Sequence, residues 1–401
     1  MSPRDWITPE EAWERLEGEL TPLATELVTR RRSLQRVLAT DVEARVDVPA
    51  TDVSAMDGYA VGTGSASMTL PVRGTVAAGD RPGFQLEPET AVRIMTGAPV
   101  PEAADRVVPI ELTDGGEDTV TLERAVASGA HIRRRSEVIS CGEGLLSAGT
   151  VLTPGALATL ATHGISTLEV HSQPSVAVVT TGDEVVPPGI EPGPGQLRDS
   201  HTDFLLAAGR GLGLDFASLG IAADDPESLA ERISSGMRSD VLIIGGGVSK
   251  GAYDWVERAL LQCGCELLFH NVAIQPGKPM LAARHDGGLV FGLPGNPNAV
   301  MATFSLFVRP ALRRLLGYED SFWHFAQEGV LAGPLPAAKD RDKFLSARVL
   351  HAAGRVTLDP ISARGSHDMN AFSLARALVR IRAGSPEVPA GAPCSWQALE
   401  P

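Results

Sequence analysis

The sequence predicts a multidomain α/β and β protein. A central doubly wound, mostly parallel α/β domain is joined to a mostly β N-terminal region with helices and to a small C-terminal β-barrel-like domain. Three observations carry this expectation. At 401 residues the chain exceeds what one hydrophobic core usually serves. From Ser175 to Leu316 short apolar strands alternate with helices, the rhythm of a parallel sheet with right-handed crossovers. On either side, over 45–140 and after Tyr318, the chain is rich in short alternating runs bounded by Gly and Pro, which read as β. The expected divisions are 1–44 plus 141–172 (N-terminal helical and linker domain), 45–140 (β domain), 173–318 (α/β domain) and 325–401 (C-terminal β domain).

Taken in order, Thr8-Pro9-Glu10-Glu11 has the form of a capping box with proline at the first helical position, and Trp13, Leu16 and Leu20 follow at helical spacing. A second short helix is expected over Ser33–Ala39. Alternation in Ala91-Val92-Arg93-Ile94 marks a strand. In the central region strands are expected at Ser175–Thr180, Phe216–Ile221, Val241–Ile244 and Leu289–Phe291. Helices are expected at Thr202–Gly209, Pro226–Met237, Asp254–Leu261 and Asn298–Leu316. Gly211-Leu212-Gly213 follows a helix and leads into a strand, so it serves turn geometry and is not a dinucleotide fingerprint. The Pro/Gly-rich loop Pro187–Gly195 lies inside the α/β domain. In the last region Arg355–Leu358 and Leu378–Ile381 read as strands.

Composition excludes several classes. A net charge of −14 argues against a nucleic-acid binder, because such a surface repels phosphate backbones on average. An anionic ligand must therefore meet a local basic pocket or a metal ion. Four cysteines are too few for a disulfide framework and fit a reducing cytoplasm; Cys263-Gly264-Cys265 reads as packing residues on a turn. Glu10, Glu11 and Glu14 stand where a signal peptide would carry basic and then apolar residues. The uncharged stretch Gly287–Val308 is broken by Leu293-Pro294-Gly295-Asn296-Pro297, so no membrane span is expected.

Ligands of doubly wound sheets sit beyond the carboxyl ends of the strands, and three Gly-rich loops are expected there. They are Thr180-Thr181-Gly182-Asp183-Glu184, the run Gly245 to Gly251 containing Gly246, Gly247, Ser249 and Lys250, and Leu293-Pro294-Gly295-Asn296-Pro297. Exposed amides in such loops, and the helix N-termini that follow the last two, favour a bound anion such as a phosphate-bearing ligand. Asp183 and Asp254 lie at the same edge. They read either as Mg²⁺-holding carboxylates beside that anion or as helix caps and solvated loop residues.

Six motifs in order identify a family. Ser54-Ala55-Met56-Asp57-Gly58-Tyr59-Ala60, Arg93-Ile94-Met95-Thr96-Gly97-Ala98-Pro99, Thr181-Gly182-Asp183-Glu184, Gly246-Gly247-Val248-Ser249, Pro276-Gly277-Lys278-Pro279 and Leu293-Pro294-Gly295-Asn296-Pro297 resemble those of the MoeA family of molybdopterin molybdenumtransferases, to which the gephyrin E domain is also similar. The resemblance implies a molybdopterin-binding-like central domain, an elongated β region and an L-shaped homodimer whose active clefts are shared between subunits. Adenylylated molybdopterin and molybdate would be the substrates, with Mg²⁺ or another divalent cation assisting cleavage of the pyrophosphate linkage. Asp57, Asp254 and Lys278 would be catalytic, Asp254 and Asp57 holding the metal with Asp57 reaching in from the partner subunit. Thr96, Asp183, Gly246, Gly247, Ser249, Lys250, Pro279, Pro294, Asn296 and Ser366 would bind substrate; Thr96 also reads as a buried hydroxyl bonded to backbone.

The chain departs from the family pattern where charge matters. Gln275 stands in place of a lysine, Asp199-Ser200-His201 in place of Asp-Ser/Thr-Asn, and Ser136-Glu137-Val138 in place of Gly-Glu-Asp. Ser346 replaces an arginine, with Arg348 two residues on along the same strand face, and Lys250 is either a compensating charge or a solvated lysine. These departures leave open a divergent paralogue that binds a related pterin nucleotide, prefers tungstate, or acts as a non-catalytic scaffold. Contact with other molybdenum-cofactor enzymes also fits the resemblance.

Overall fold

A computed structural model describes residues 6–65, 67–81, 84–248, 255–319, 325, 327–352, 354–365 and 367–399. Contacts divide the chain into two compact units, the larger built from residues up to 27, 35–39 and 169 onward, the smaller from 28–34 and 40–168.

The larger unit holds the α/β sheet. Its six strands lie in the order Phe216–Ala222, Val176–Thr181, Val241–Gly245, Gly288–Leu293, Leu281–His285 and Glu266–His270. The first four are parallel, Leu281–His285 runs against them, and Glu266–His270, antiparallel to that strand, runs with the first four again, so the sheet is mostly parallel as expected. Helices Pro226–Gly236 and Trp255–Gln262 set Leu229, Ile233, Val256 and Leu260 on one face, against Ala177, Val179, Leu242 and Ile244. The alternate residues Val178 and Ile243 are fully buried too, which is why these strands read as unbroken apolar runs. Helix His201–Gly211 contributes Phe204, whose ring meets Phe304 edge-on at 5.6 Å.

Sequence expectation and structure differ at three places. The last two strands were not foreseen, because Leu281–His285 carries two alanines and Glu266–His270 follows a turn at Gly264, with no β-branched residue in either. Ser33–Ala39 is not a helix. A 3₁₀ turn at Arg30–Arg32 ends where the Ser33 hydroxyl bonds the Arg30 carbonyl, Gln35 takes φ +62°, and Leu38 bridges to Val170. The closing helix is not uniform: Pro297–Thr303 passes through a π segment, Phe304–Val308, into Arg309–Leu315. Pro310 supplies the reason, since it has no N–H and its ring crowds the preceding turn.

Helix Pro9–Glu17 begins with the expected capping box, the Thr8 side chain accepting from Glu11 N–H while the Glu11 carboxylate accepts from Thr8 N–H. Its Ala12, Trp13 and Leu16 are buried. The C-terminal part closes five strands, Gln327–Leu331, Asp342–Ala352, Arg355–Pro360, Ala377–Ile381 and Pro393–Ala398, into a barrel. Asp342–Ala352 pairs with both Arg355–Pro360 and Ala377–Ile381, and Gln327–Leu331 joins Arg355–Pro360 to Pro393–Ala398. Leu331, Leu358, Val379 and Trp396 fill it.

The smaller unit is built on a five-stranded sheet ordered Ala104–Pro109, Gly58–Gly62, Ala91–Ile94, Thr69–Val76 and Thr119–Thr121. Both faces are covered: Ala60, Val92 and Val107 pack on one side, Tyr59, Val61 and Val108 on the other. Among the described residues no helix is long and apolar enough to cross a membrane.

Candidate functional site

At the carboxyl edge of the parallel strands the three glycine loops meet. The Gly246 amide donates to the Leu293 carbonyl at 3.0 Å, joining the second loop to the third. Gly246 and Gly247 take φ of +103° and +70°, and a Cβ on either would stand 2.8 Å from Thr181, so no other residue permits this approach. Thr181 places beside both glycines a buried hydroxyl that has no hydrogen-bond partner among the described residues. His201 fits against Gly245, and burial pushes its pKa down despite nearby Asp199, which keeps the imidazole neutral.

Asp183 and Glu184 are exposed on the first loop. The Asp183 carboxylate accepts the Asp224 N–H at 3.0 Å, so it ties down a neighbouring loop and caps no helix; Asp225 caps helix Pro226–Gly236. Burial, then Glu184 and Asp183, raise the pKa of Asp224. This edge is acidic. No group of three or more His, Cys, Asp or Glu among the described residues has metal-site geometry. Cys265 and Cys263 are free thiols packed near Met237 and Ser234, and burial pushes Cys265 up to about 11.

Beside the sheet edge, still within the larger unit, lies a cleft of about 620 Å³. One wall is the loop from Ile274 to Pro279 with Pro294 and Asn296; the other comes from the barrel, including Arg341, Lys343 and Ser346. Among the described residues its lining carries Lys278, Arg341 and Lys343 and no carboxylate, although Arg341 also pairs at 3.7 Å with Asp340 outside the lining, in a chain of net charge −14. A small positive cavity in a negative protein selects anions. Lys278 sets its ammonium 4.2 Å from the Trp6 ring centre, an aromatic face that holds a cation without neutralising it. Asn296 sits at the N-cap of helix Pro297–Thr303 without a side-chain capping bond.

The structure thus brings Lys278, Pro279, Pro294 and Asn296 together with the departures Gln275 and Ser346. It places Gly246, Gly247 and Asp183 at the sheet edge and not in the cleft lining. Ser249, Lys250, Asp254 and Ser366 lie outside the described residues. Asp57 and Thr96 belong to the smaller unit, where the Asp57 carboxylate accepts the Thr96 N–H at 2.6 Å and the Thr96 hydroxyl at 2.8 Å. Thr96 is exposed, so its hydroxyl is not the buried, backbone-bonded group that the sequence also allowed. These bonds, the backbone one first, hold the Asp57 carboxyl below the usual range.

Sequence reasoning missed Arg341, Lys343 and Asn298. The two cations sit in an alternating-charge run, Asp340-Arg341-Asp342-Lys343, which reads as an ordinary solvated edge. Asn298 follows the Pro294-Gly295-Asn296-Pro297 motif and donates to the carbonyls of Gly365 and Asp368 at 3.2 and 3.1 Å, fastening a barrel loop onto the closing helix.

Three family descriptions match in order: "MoeA N-terminal region (domain I and II)" over residues 7–164, "Probable molybdopterin binding domain" over 177–314 and "MoeA C-terminal region (domain IV)" over 328–399. The Mycobacterium tuberculosis (H37Rv) protein named molybdopterin molybdenumtransferase 2 is 36% identical over 370 residues, covering 88% of this chain and 90% of that one. Molybdopterin molybdenumtransferase of Staphylococcus aureus (MRSA252) is 31% identical over 396 residues, covering 97% and 94%. The solved structure of a molybdopterin biosynthesis MoeA protein from Pyrococcus horikoshii superposes with a TM-score of 0.81 at 30% identity, covering 99% of this chain and 100% of that one.

Proposed function

This chain belongs to the MoeA family and is a transferase of molybdenum-cofactor biosynthesis, and we propose that it inserts molybdate into adenylylated molybdopterin with release of AMP. The single observation behind this step is the cleft: a cavity sized for a small ligand, lined among the described residues by three cations and no carboxylate, next to glycine loops whose amides suit phosphate. Molybdate binds at Lys278 in this reading, and the pterin nucleotide lies along Gly246, Gly247, Pro279, Pro294 and Asn296. Ser249, Lys250 and Ser366 belong to the same proposed site.

A divalent cation suits the available donors. Asp57 is exposed and ionised, both Thr96 bonds fall on Oδ1, and Oδ2 accepts no hydrogen bond among the described residues. Hard carboxylate oxygens of this kind fit Mg²⁺. Asp254 and Asp57 would hold it, and it would supply Lewis-acid stabilisation of charge developing on the pyrophosphate. Thr96 orients Asp57, Lys278 fixes the oxyanion as a point charge, and the loop amides hold phosphate oxygens that would otherwise be repelled by the protein's net charge. We propose a homodimer in which Asp57 of the partner subunit completes each site, in a reducing cytoplasm that suits the four free thiols. Other enzymes of cofactor assembly are natural neighbours for so reactive a substrate.

The test is AMP release from adenylylated molybdopterin by purified protein. Release is expected only with molybdate and a divalent cation both present, and Asp254→Asn is expected to lower it by at least about 10- to 100-fold, the loss that removing even a supporting partner of a metal ligand brings. Wild-type turnover in Asp254→Asn would defeat the metal assignment. Turnover without molybdate would defeat the reaction.

A further inference from the structure

Gln275 and Ser346 leave the cleft poorer in charge on two sides, yet its lining is still cationic because of residues on the barrel wall. The two-residue strand Ile274–Gln275 pairs in parallel with the start of Asp342–Ala352, in a register that sets Gln275 beside Lys343. Neighbouring residues of paired strands project to the same face, and both line the cleft. Asp342, one residue earlier, projects the opposite way, accepting from Arg380 Nε at 2.7 Å and from Ala383 N–H at 2.8 Å. The one carboxylate that could neutralise Lys343 along its own strand is therefore turned away and engaged. Lys343 Nζ donates to the Ala337 carbonyl at 2.6 Å, which steadies the side chain while leaving two of its three N–H donors.

We propose that Lys343 is an oxyanion-binding residue of this cleft, supplying from the barrel strand the charge that its register partner Gln275 does not supply from the loop. The ligand is a small tetrahedral oxyanion, and the inference rests on the molybdate-inserting reading above. Lys278 and Lys343 enclose the anion from the two walls.

The experiment measures the molybdate dependence of AMP release, and molybdate binding by equilibrium dialysis, for the full-length wild type and for K343Q, K343R, Q275K and the double variant Q275K/K343Q. Losing one charge-assisted contact in K343Q should raise the molybdate KM and Kd about 10- to 100-fold. The KM for adenylylated molybdopterin should stay put. K343R should keep wild-type affinity within about 3-fold, since it keeps the charge. In Q275K/K343Q the cation returns on the neighbouring strand, and molybdate affinity should recover, which a merely structural role of the Ala337 contact would not produce. Q275K alone, which leaves Lys343 untouched and so carries the question if K343Q does not fold, should tighten molybdate several-fold. An unchanged molybdate Kd in folded K343Q, no recovery in the double variant, or no tightening in Q275K overturns the proposal. A wild type that neither binds molybdate nor releases AMP overturns the reading of the site itself, a distinct result.

Discussion

The pair Asp57 and Thr96 shows how one side chain prepares another. Both hydrogen bonds from Thr96 reach a single carboxylate oxygen of Asp57, and hydrogen bonds to the charged form favour it. The carboxyl therefore stays ionised to a lower pH than an ordinary aspartate. The sign follows: activity that needs ionised Asp57 is present above its lowered pKa and is lost as pH falls through it. Thr96→Val removes the hydroxyl bond and keeps the amide bond. The acid limb of its kcat/KM profile is expected to move to higher pH, with near wild-type activity on the plateau; an acid limb that does not move would separate Asp57 from the reaction. The two motifs holding these residues were legible in the sequence, whereas the bond between them was not, because it joins residues brought together by pairing of Gly58–Gly62 with Ala91–Ile94.

Among the elements, the loop from Ile274 to Pro279 is the most exacting. Gly277 sits at φ +111°, and a Cβ there would lie 2.5 Å from the Thr303 methyl and 3.0 Å from Ile274 Cδ1. Gly277→Ala must therefore displace the backbone that carries Lys278 and Pro279. Misplacement by an ångström at a positioned cation costs about 10²-fold in kcat/KM, and that loss is expected with the far-ultraviolet circular dichroism unchanged. Activity within a few-fold of wild type would show that the loop does not set the cleft. Element by element, the sequence was legible where one face or one cap decides: Thr8-Pro9-Glu10-Glu11 starts its helix as expected, and Val241–Gly245 is the buried strand. It was not legible at Leu281–His285, whose strand state is set by neighbours on the sheet, nor at Ser33–Ala39, where local side-chain bonds defeat a helix that composition permits.

For the whole molecule the decisive quantity is where charge gathers. A net charge of −14 gives no general attraction for molybdate or phosphate, so the binding proposed above would depend on assembly of the cationic cleft and of the carboxylates proposed to hold a metal. If each site takes Lys278 from one subunit and Asp57 from its partner, two inactive variants complement each other. Unfolding and refolding Asp57→Asn with Lys278→Gln in equal amounts should give about a quarter of wild-type activity, because half the dimers are mixed and each has one intact site of two. No recovery, with mixed dimers shown by mass spectrometry, would place both residues of a site in one chain. The sequence by itself determined the family, the order of the domains, the strands buried on both faces and most of the loops at the sheet edge, because apolar periodicity, caps and glycine turns act over a few residues. The tertiary structure alone decided that Lys343 stands beside Gln275, that Arg341 and Lys343 face Lys278 across one cleft, and that Asp342 is turned away onto Arg380. Register and the meeting of charges depend on contacts between distant segments, and no local pattern of residue types encodes which of the chain's 35 lysines and arginines will share a cavity.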